Sequence, residues 1–298
     1  MSIRVNPDPS TDLLAAIALN RLSQNSALQQ IASGRRVNQL SDNPAAASED
    51  VLSHVQSSQD DQFQQNATAL TSQGQAIDST LNSVVQAVTQ AISLGVEGAN
   101  GTLSNGDRQD IAQELTGIRD QVLGLANQTY QGNYVFSGTA TSTQPFVLDN
   151  TQPNGVRYNG NATVNSIEIA PGRTISVNLP GNQIFTSPSG DVLGALNGLI
   201  TALQTNSGIA AANANLNKAF TQLNTQRVFY GNTLNQLQTA QTSLTSDKTQ
   251  LAQQENSLVG ADLAASITNF EQASTATNAI LNATNQILTT LNLLSYLK

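Results

Sequence analysis

Two long stretches free of proline, each carrying a heptad-spaced apolar seam, constrain this chain more than any other feature. Five of the eight prolines (Pro145, Pro153, Pro171, Pro180 and Pro188) fall in one window, and none lies between Ala45 and Gln144 or after Pro188. Proline inside a helix removes a hydrogen bond and clashes with the preceding turn, so long helices need such proline-free stretches. The flanks also have the right periodicity. Phe63, Ala67, Leu70, Gly74, Ile77, Leu81, Val84, Val88 and Ala91 step by alternating four and three residues, which places them along one side of a helix that packs against a partner. The same stepping returns, with polar interruptions, in Leu216, Phe220, Leu223, Arg227, Tyr230, Leu234, Leu237, Gln241, Leu244, Lys248, Leu251, Glu255 and Leu258. At about 1.5 Å per residue this second helix would run on the order of 60 Å, too long for an ordinary compact domain.

A third helical stretch between Asp107 and Gln128 sets Ile111, Leu115, Ile118, Val122 and Leu125 on one face, and the glycine-rich segment Gly95 to Gly106 reads as the turn before it. Together these stretches predict an antiparallel helical bundle. The proline-rich window differs in kind. Val156 to Tyr158, Ser166 to Ile169 and Thr174 to Leu179 are strand-like, and Asn154-Gly155, Asn159-Gly160 and Pro171-Gly172 are turn signals between them. The expected fold class is therefore mainly α with a small β insertion. The expected division is a terminal helical coiled coil from 1–42 with 259–298, a helical bundle from 43–135 with 191–258, and a β-rich outer domain over 136–190.

The two ends carry weaker versions of the helical pattern, in Leu14, Ile17, Leu28 and Ile31 at the start and in Leu263, Ile267, Phe270, Leu281, Leu288 and Leu291 at the finish. An isolated helix rich in Ala and Asn is marginal in water, so each end needs a partner to become ordered. Periodicity leaves open whether that partner is the other end of the same chain or a neighbouring molecule. The uncharged stretch Gln272 to Leu297 is interrupted by Asn278, Asn282, Asn285, Gln286 and Asn292, which argues for a water-exposed helix and against a membrane span.

The chain has no Cys, no Trp, one Met and one His, so disulfides and cysteine-based zinc sites cannot be built. Its net charge is −8, and its twelve Lys and Arg are scattered apart from the adjacent Arg35 and Arg36, so no basic stripe suits a nucleic acid. His54 would have to serve any imidazole chemistry alone. It reads more simply as a surface histidine paired with Asp50 one helical turn before it. Asp60 with Asp61, and Asp107 with Asp110, sit on polar surface or at a helix start, where capping explains the second pair. Neither phosphate-loop nor dinucleotide glycine patterns occur, and no catalytic residue, cofactor or metal site is expected. Arg35 and Arg36, next to Gly34, read as solvated cations at a helix end. The start, with Pro7 and Pro9, lacks the apolar core of a secretory signal.

The ends carry more than periodicity. Arg21-Leu22-Ser23 through Ile31-Ala32-Ser33-Gly34-Arg35-Arg36-Val37-Asn38, followed by Asp42-Asn43-Pro44-Ala45-Ala46, resembles the N-terminal signature of bacterial flagellins. Val259-Gly260-Ala261-Asp262-Leu263-Ala264 and the closing Leu291 to Leu297, with Leu294 among them, are similar to the C-terminal signature of the same superfamily. Gln131-Gly132-Asn133-Tyr134-Val135-Phe136-Ser137-Gly138 followed by Pro145-Phe146 resembles the hook-associated protein 3 branch more than filament flagellins. Where the superfamily commonly has an acidic pair before the first turn, this chain has Asp42-Asn43-Pro44.

The resemblance implies a structural subunit of the bacterial flagellum that joins hook to filament, with its terminal helices forming an inner tube of subunit contacts. It implies copies of itself, hook-associated protein 1, flagellin and a cytoplasmic export chaperone as partners, with no nucleic acid and no membrane insertion. It also implies an extracellular place on the flagellum, reached by type III export without a cleaved signal peptide. A chain without Cys and with weakly stable ends suits threading through such a route. The subunit contacts expected are Leu14, Ile17, Leu28, Ile31, Arg35, Arg36, Leu263, Ile267, Phe270, Leu281, Leu288, Leu291 and Leu294. A short filament flagellin is the alternative within the class, and an adhesin using the β insertion as a binding face is the alternative outside it.

Overall fold

The computed structural model describes residues 9–291, with side chains described over 12–286. The chain forms two compact units, one from residues 60–245 and the other from the residues before and after them. Helices α1 (Pro9–Ser33), α2 (Pro44–Gly98), α3 (Asn105–Ala126), α5 (Val192–Thr205), α6 (Ile209–Val259) and α7 (Leu263–Leu291) dominate, with one short turn of helix, α4 (Gly181–Ile184). The mainly α class is as the proline and heptad patterns predict.

Within residues 60–245 the two predicted seams face each other. Gln241 Nε2 donates to Thr68 Oγ1 at 3.3 Å, Arg227 Nη2 to Asp78 Oδ1 at 3.0 Å, and Leu234 lies against Gly74, so α2 and α6 run antiparallel. A Cβ at Gly74 would stand 3.0 Å from Leu234 Cδ2, which explains a glycine in an apolar seam. Ile77, Leu81, Val84, Val88 and Ala91 share one core with Leu216, Leu223 and Tyr230. Helix α3 adds Ile111, Leu115, Ile118 and Val122 to it, the face expected of that stretch.

The turn before α3 begins later than expected. Gly95 and Gly98 belong to α2, because there the absent side chains leave room for neighbours: a Cβ on Gly95 would meet Leu199 Cδ2 at 2.9 Å, and one on Gly98 would collide with Leu203. Buried Arg108 then closes the turn, donating to the carbonyls of Gly98 at 3.2 Å and of Asn100 and Leu103 at 2.8 Å. Ser104 and Asp107 form a reciprocal cap, Asp107 N–H donating to Ser104 Oγ at 3.2 Å and Ser104 N–H to Asp107 Oδ2 at 2.9 Å. The hydrogen bonds from Ser104 hold the Asp107 carboxyl below the usual carboxylate range. Helix α5 buries Leu193, Leu196, Leu199 and Leu203. The sequence placed its residues in the bundle without marking a separate helix, because an apolar run this short and this continuous has no resolvable period.

The proline-rich window is a chain of antiparallel hairpins: β3 (Phe146–Leu148) with β4 (Val156–Tyr158), β5 (Ser166–Ala170) with β6 (Arg173–Ser176), and β7 (Thr186–Ser187) with β8 (Gly190–Asp191). Ahead of them β1 (Thr129–Tyr130) and β2 (Asn133–Tyr134) turn tightly at Gln131 and Gly132, both at positive φ, the geometry that matches strand twist in a two-residue hairpin. The predicted runs at 156–158 and 166–169 therefore fall on β4 and β5, while the run at 174–179 matches β6 only as far as Ser176, and 177–179 lie outside any strand. They are held by side chains more than by a continuous sheet. Phe185 meets Phe136 and Phe146 edge-on, with ring centroids 5.1 and 5.6 Å apart, and these three rings join the helical core. Ile169 and Ile175 pack with Ala67, Leu70, Leu237 and Ala240 of α2 and α6.

Candidate assembly surface

The terminal unit is built on a different plan. Helices α1 and α7 pair antiparallel: Ser266 Oγ donates to Gln30 Oε1 at 3.0 Å near one end, while Asn20 Nδ2 donates to the Ala273 carbonyl at 2.9 Å and to Thr277 Oγ1 at 3.0 Å nearer the other. The residues buried between them are small, namely Ala27, Ser266 and Ala273. Small side chains let two helices approach closely, but they remove little apolar surface from water.

The larger apolar side chains of the pair point elsewhere. Leu14, Leu19 and Leu22 keep about two thirds of their surface exposed, at 66%, 68% and 65%. Leu28, Leu263, Ile267 and Leu281 are also exposed, and Ile17, Ile31 and Phe270 are half-buried. Leu294 lies outside the described residues, and Leu288 and Leu291 lie outside those with described side chains. These side chains leave apolar surface that the pair does not bury within the protomer. The sequence reading overlooked Leu19, Leu22, Leu40, Val51, Leu52 and Val55, all exposed. The signal for the last three was present in an apolar arc at 51, 52 and 55 that lies outside the heptad seam starting at 63.

Below the pair, the turn out of α1 is tied to the turn into α7. Gly34 adopts φ +67°, the left-handed end of a helix, and its carbonyl accepts from Ala261 N–H at 2.9 Å. Arg36 N–H donates to the Val259 carbonyl at 2.6 Å, and Arg36 Nη2 to the Leu258 carbonyl at 2.8 Å. Val37, Ala46, Ala47 and Val259 form a small apolar cluster beneath. Asn43 accepts from Ala46 N–H at 3.1 Å and so caps α2, with Pro44 as its first residue. This gives a structural reason for Asn43-Pro44 at this turn. Arg35 is more than a solvated helix-end cation. Its guanidinium pairs with Asp50, and its Nη1 lies 3.0 Å from Glu255 Oε1, within the same chain. His54 lies beside Asp50 as its place one helical turn on predicts, without a hydrogen bond to it, and it also approaches Glu255, with Nε2 3.8 Å and 3.4 Å from the two carboxylates.

The arrangement has the composition of a packing device: an internal seam of small residues, a hydrogen-bonded root, and large aliphatic residues facing outward. Residues 9–141 match the bacterial flagellin N-terminal helical region. The chain is 31% identical over 282 residues to flagellar hook-associated protein 3 of Escherichia coli, covering 86% of this chain and 87% of that one. The chain belongs to the flagellar hook-associated protein 3 family. The Salmonella typhimurium protein of the same name is 36% identical over 160 residues, 53% of this chain and 49% of its own length. The flagellar junction protein FlgL from Legionella pneumophila shares the fold, with TM-score 0.62 at 16% identity over 71% of this chain and all of that one. As a member of this family the chain is a structural component of the bacterial flagellum that self-assembles with other flagellar proteins. Among the described residues no helix is long and apolar enough to cross a membrane.

Proposed function

We propose that this chain joins the flagellar hook to the filament, polymerising through the outward faces of α1 and α7. The observation that carries this is the inverted packing of the terminal pair: small residues Ala27, Ser266 and Ala273 inside, large aliphatic ones outside. At about 1.5–3 kcal/mol for full burial of one Leu or Ile, several such residues supply enough driving force for subunits to stack once the faces meet. In this reading Leu14, Ile17, Leu28, Ile31, Leu263, Ile267, Phe270, Leu281, Leu288, Leu291 and Leu294 contact neighbouring copies. Arg35 and Arg36 set the angle at which the pair leaves its root and reach the neighbour through their exposed edges. The three-part division, with a terminal coiled coil (1–42, 259–298), a bundle (43–135, 191–258) and an outer β part (136–190), belongs to the same proposal. So do hook-associated protein 1 and flagellin as flanking partners, a cytoplasmic chaperone on the C-terminal helix, and type III export to the cell exterior without a cleaved signal peptide.

The test is immunogold labelling of isolated hook–basal bodies that still carry filaments. Label confined to a short zone between hook and filament is expected. Label along the whole filament would make the chain a flagellin, and unlabelled flagella would overturn the proposal.

A further inference from the structure

Arg35, Asp50, His54 and Glu255 form a charged cluster at the root of the terminal pair that helix packing does not explain. Asp50 and His54 lie one turn apart on α2, and Glu255 faces them from α6. The Asp50 side chain is nine-tenths buried. One of its oxygens is held by Arg35, while the other, Oδ1, is buried with no hydrogen-bond partner and faces His54 Nε2 at 3.8 Å, too long for a hydrogen bond. A buried carboxylate oxygen left unsatisfied is costly, so the site favours something that would fill this position. Two carboxylates against one guanidinium also leave a negative charge uncompensated while the imidazole is neutral.

We propose that Asp50 Oδ1, His54 Nε2 and a carboxylate oxygen of Glu255 bind one divalent transition ion of the zinc class, with Arg35 as the positioning residue: it pairs with the other oxygen of Asp50 and donates to the Glu255 Oε1 that faces His54. The three donor atoms lie within 4.8 Å of one another. Tetrahedral zinc with bonds of about 2.0–2.1 Å sets its ligands about 3.3 Å apart. The 3.4 Å separation of His54 Nε2 from Glu255 Oε1 already fits, and the 3.8 Å separation from Asp50 Oδ1 needs only a small closure. One imidazole with two carboxylates favours zinc, nickel or copper over magnesium and calcium, which prefer oxygen alone. His54 is more than half exposed, which leaves its side of the site open to water as a fourth ligand. A bound ion would clamp α2 to α6 at the point where α1 and α7 begin.

The chain's single histidine makes the test direct, since the imidazole ring signals in a proton–nitrogen NMR spectrum of the full chain can come only from His54. Titration with zinc chloride near neutral pH is expected to shift the Nε2 signal saturably at one ion per chain, with no response to magnesium. Excess EDTA should reverse the shift, because it removes the ion without changing the ring's protonation. His54→Ala changes an exposed side chain and is not expected to disturb folding; in titration calorimetry it should weaken zinc binding by about tenfold or more. An imidazole that stays silent under excess zinc would overturn the proposal, and so would calorimetric binding that His54→Ala leaves unchanged.

Discussion

Residues 60–245 and the terminal unit use the same heptad arithmetic for opposite ends. In the first, the repeat points large side chains inward: Leu81, Leu115, Leu196, Leu199, Leu216 and Leu223 are fully buried. In the second, the interior of the α1–α7 pair is Ala and Ser, and Leu14, Leu19 and Leu22 face water. The free energy of an apolar contact is set by the area removed from water, so the first unit spends its apolar surface on its own fold and the second holds most of its surface in reserve. Heptad spacing says which side of a helix is apolar. Side-chain size inside the pair decides whether that side is satisfied within the protomer.

The strongest way to break this comparison is to cut the same side chain in both places. Leu115→Ala in α3 should lower the unfolding free energy of the isolated chain by about 2–5 kcal/mol, through lost burial and the cavity left behind. Denaturant unfolding at a concentration where the chain is monomeric reads this directly. A loss no larger than that of an exposed leucine would mean that the core of residues 60–245 is not the source of monomer stability. A smaller effect is expected at the root of the terminal pair. Gly34 sits at φ +67° with nothing within 4 Å of where a Cβ would stand, so Gly34→Ala adds backbone strain without a steric clash. That strain costs about 1–2 kcal/mol, and it should appear as faster amide exchange in the 34–37 and 259–261 segments, whose hydrogen bonds depend on that turn. Unchanged exchange there would show that the root does not need the left-handed turn.

Much of this plan is legible in the sequence, and the reasons why some of it is not are physical. The long helices could be read because proline exclusion and a four-three repeat act over many turns, so a few polar interruptions such as Arg227 do not erase them. Arg227 turns out to be one end of an ion pair with Asp78 across the seam. Strands β4 to β6 could be read because Asn-Gly and Pro-Gly mark turns by local backbone chemistry. The end of α2 was misjudged because Gly95 and Gly98 act through close packing against Leu199 and Leu203 of α5, a tertiary cause that a local turn rule cannot see. For the surface, the spacing of Leu14, Leu28, Leu263 and Ile267 was visible, but their outward direction was not. It depends on Ala27, Ser266 and Ala273 coming together from positions far apart in the chain. The role of Arg35 was hidden in the same way, since Glu255 comes from the other end of the sequence.

The smallest effect on the monomer sharpens the comparison most. Leu22 and Leu28 are 65% and 52% exposed, so replacing both with Ser removes little that the isolated protomer has buried. The unfolding free energy should move by less than about 0.5 kcal/mol for each, as for other surface substitutions. Assembly is a different matter if these side chains lose their remaining exposure against a neighbour. At roughly 1 kcal/mol for each newly buried leucine face, the double substitution would weaken subunit association by about 2 kcal/mol per contact. Since each 1.4 kcal/mol is a factor of ten, the concentration needed for polymerisation should rise roughly 30-fold. Sedimentation of the wild-type and doubly substituted chains across a concentration series measures that ratio while denaturant unfolding monitors the fold. Equal stability with a raised assembly threshold is the expected result. Equal thresholds would remove Leu22 and Leu28 from the subunit interface and leave the exposed face of α1 without the role that its inverted packing gives it.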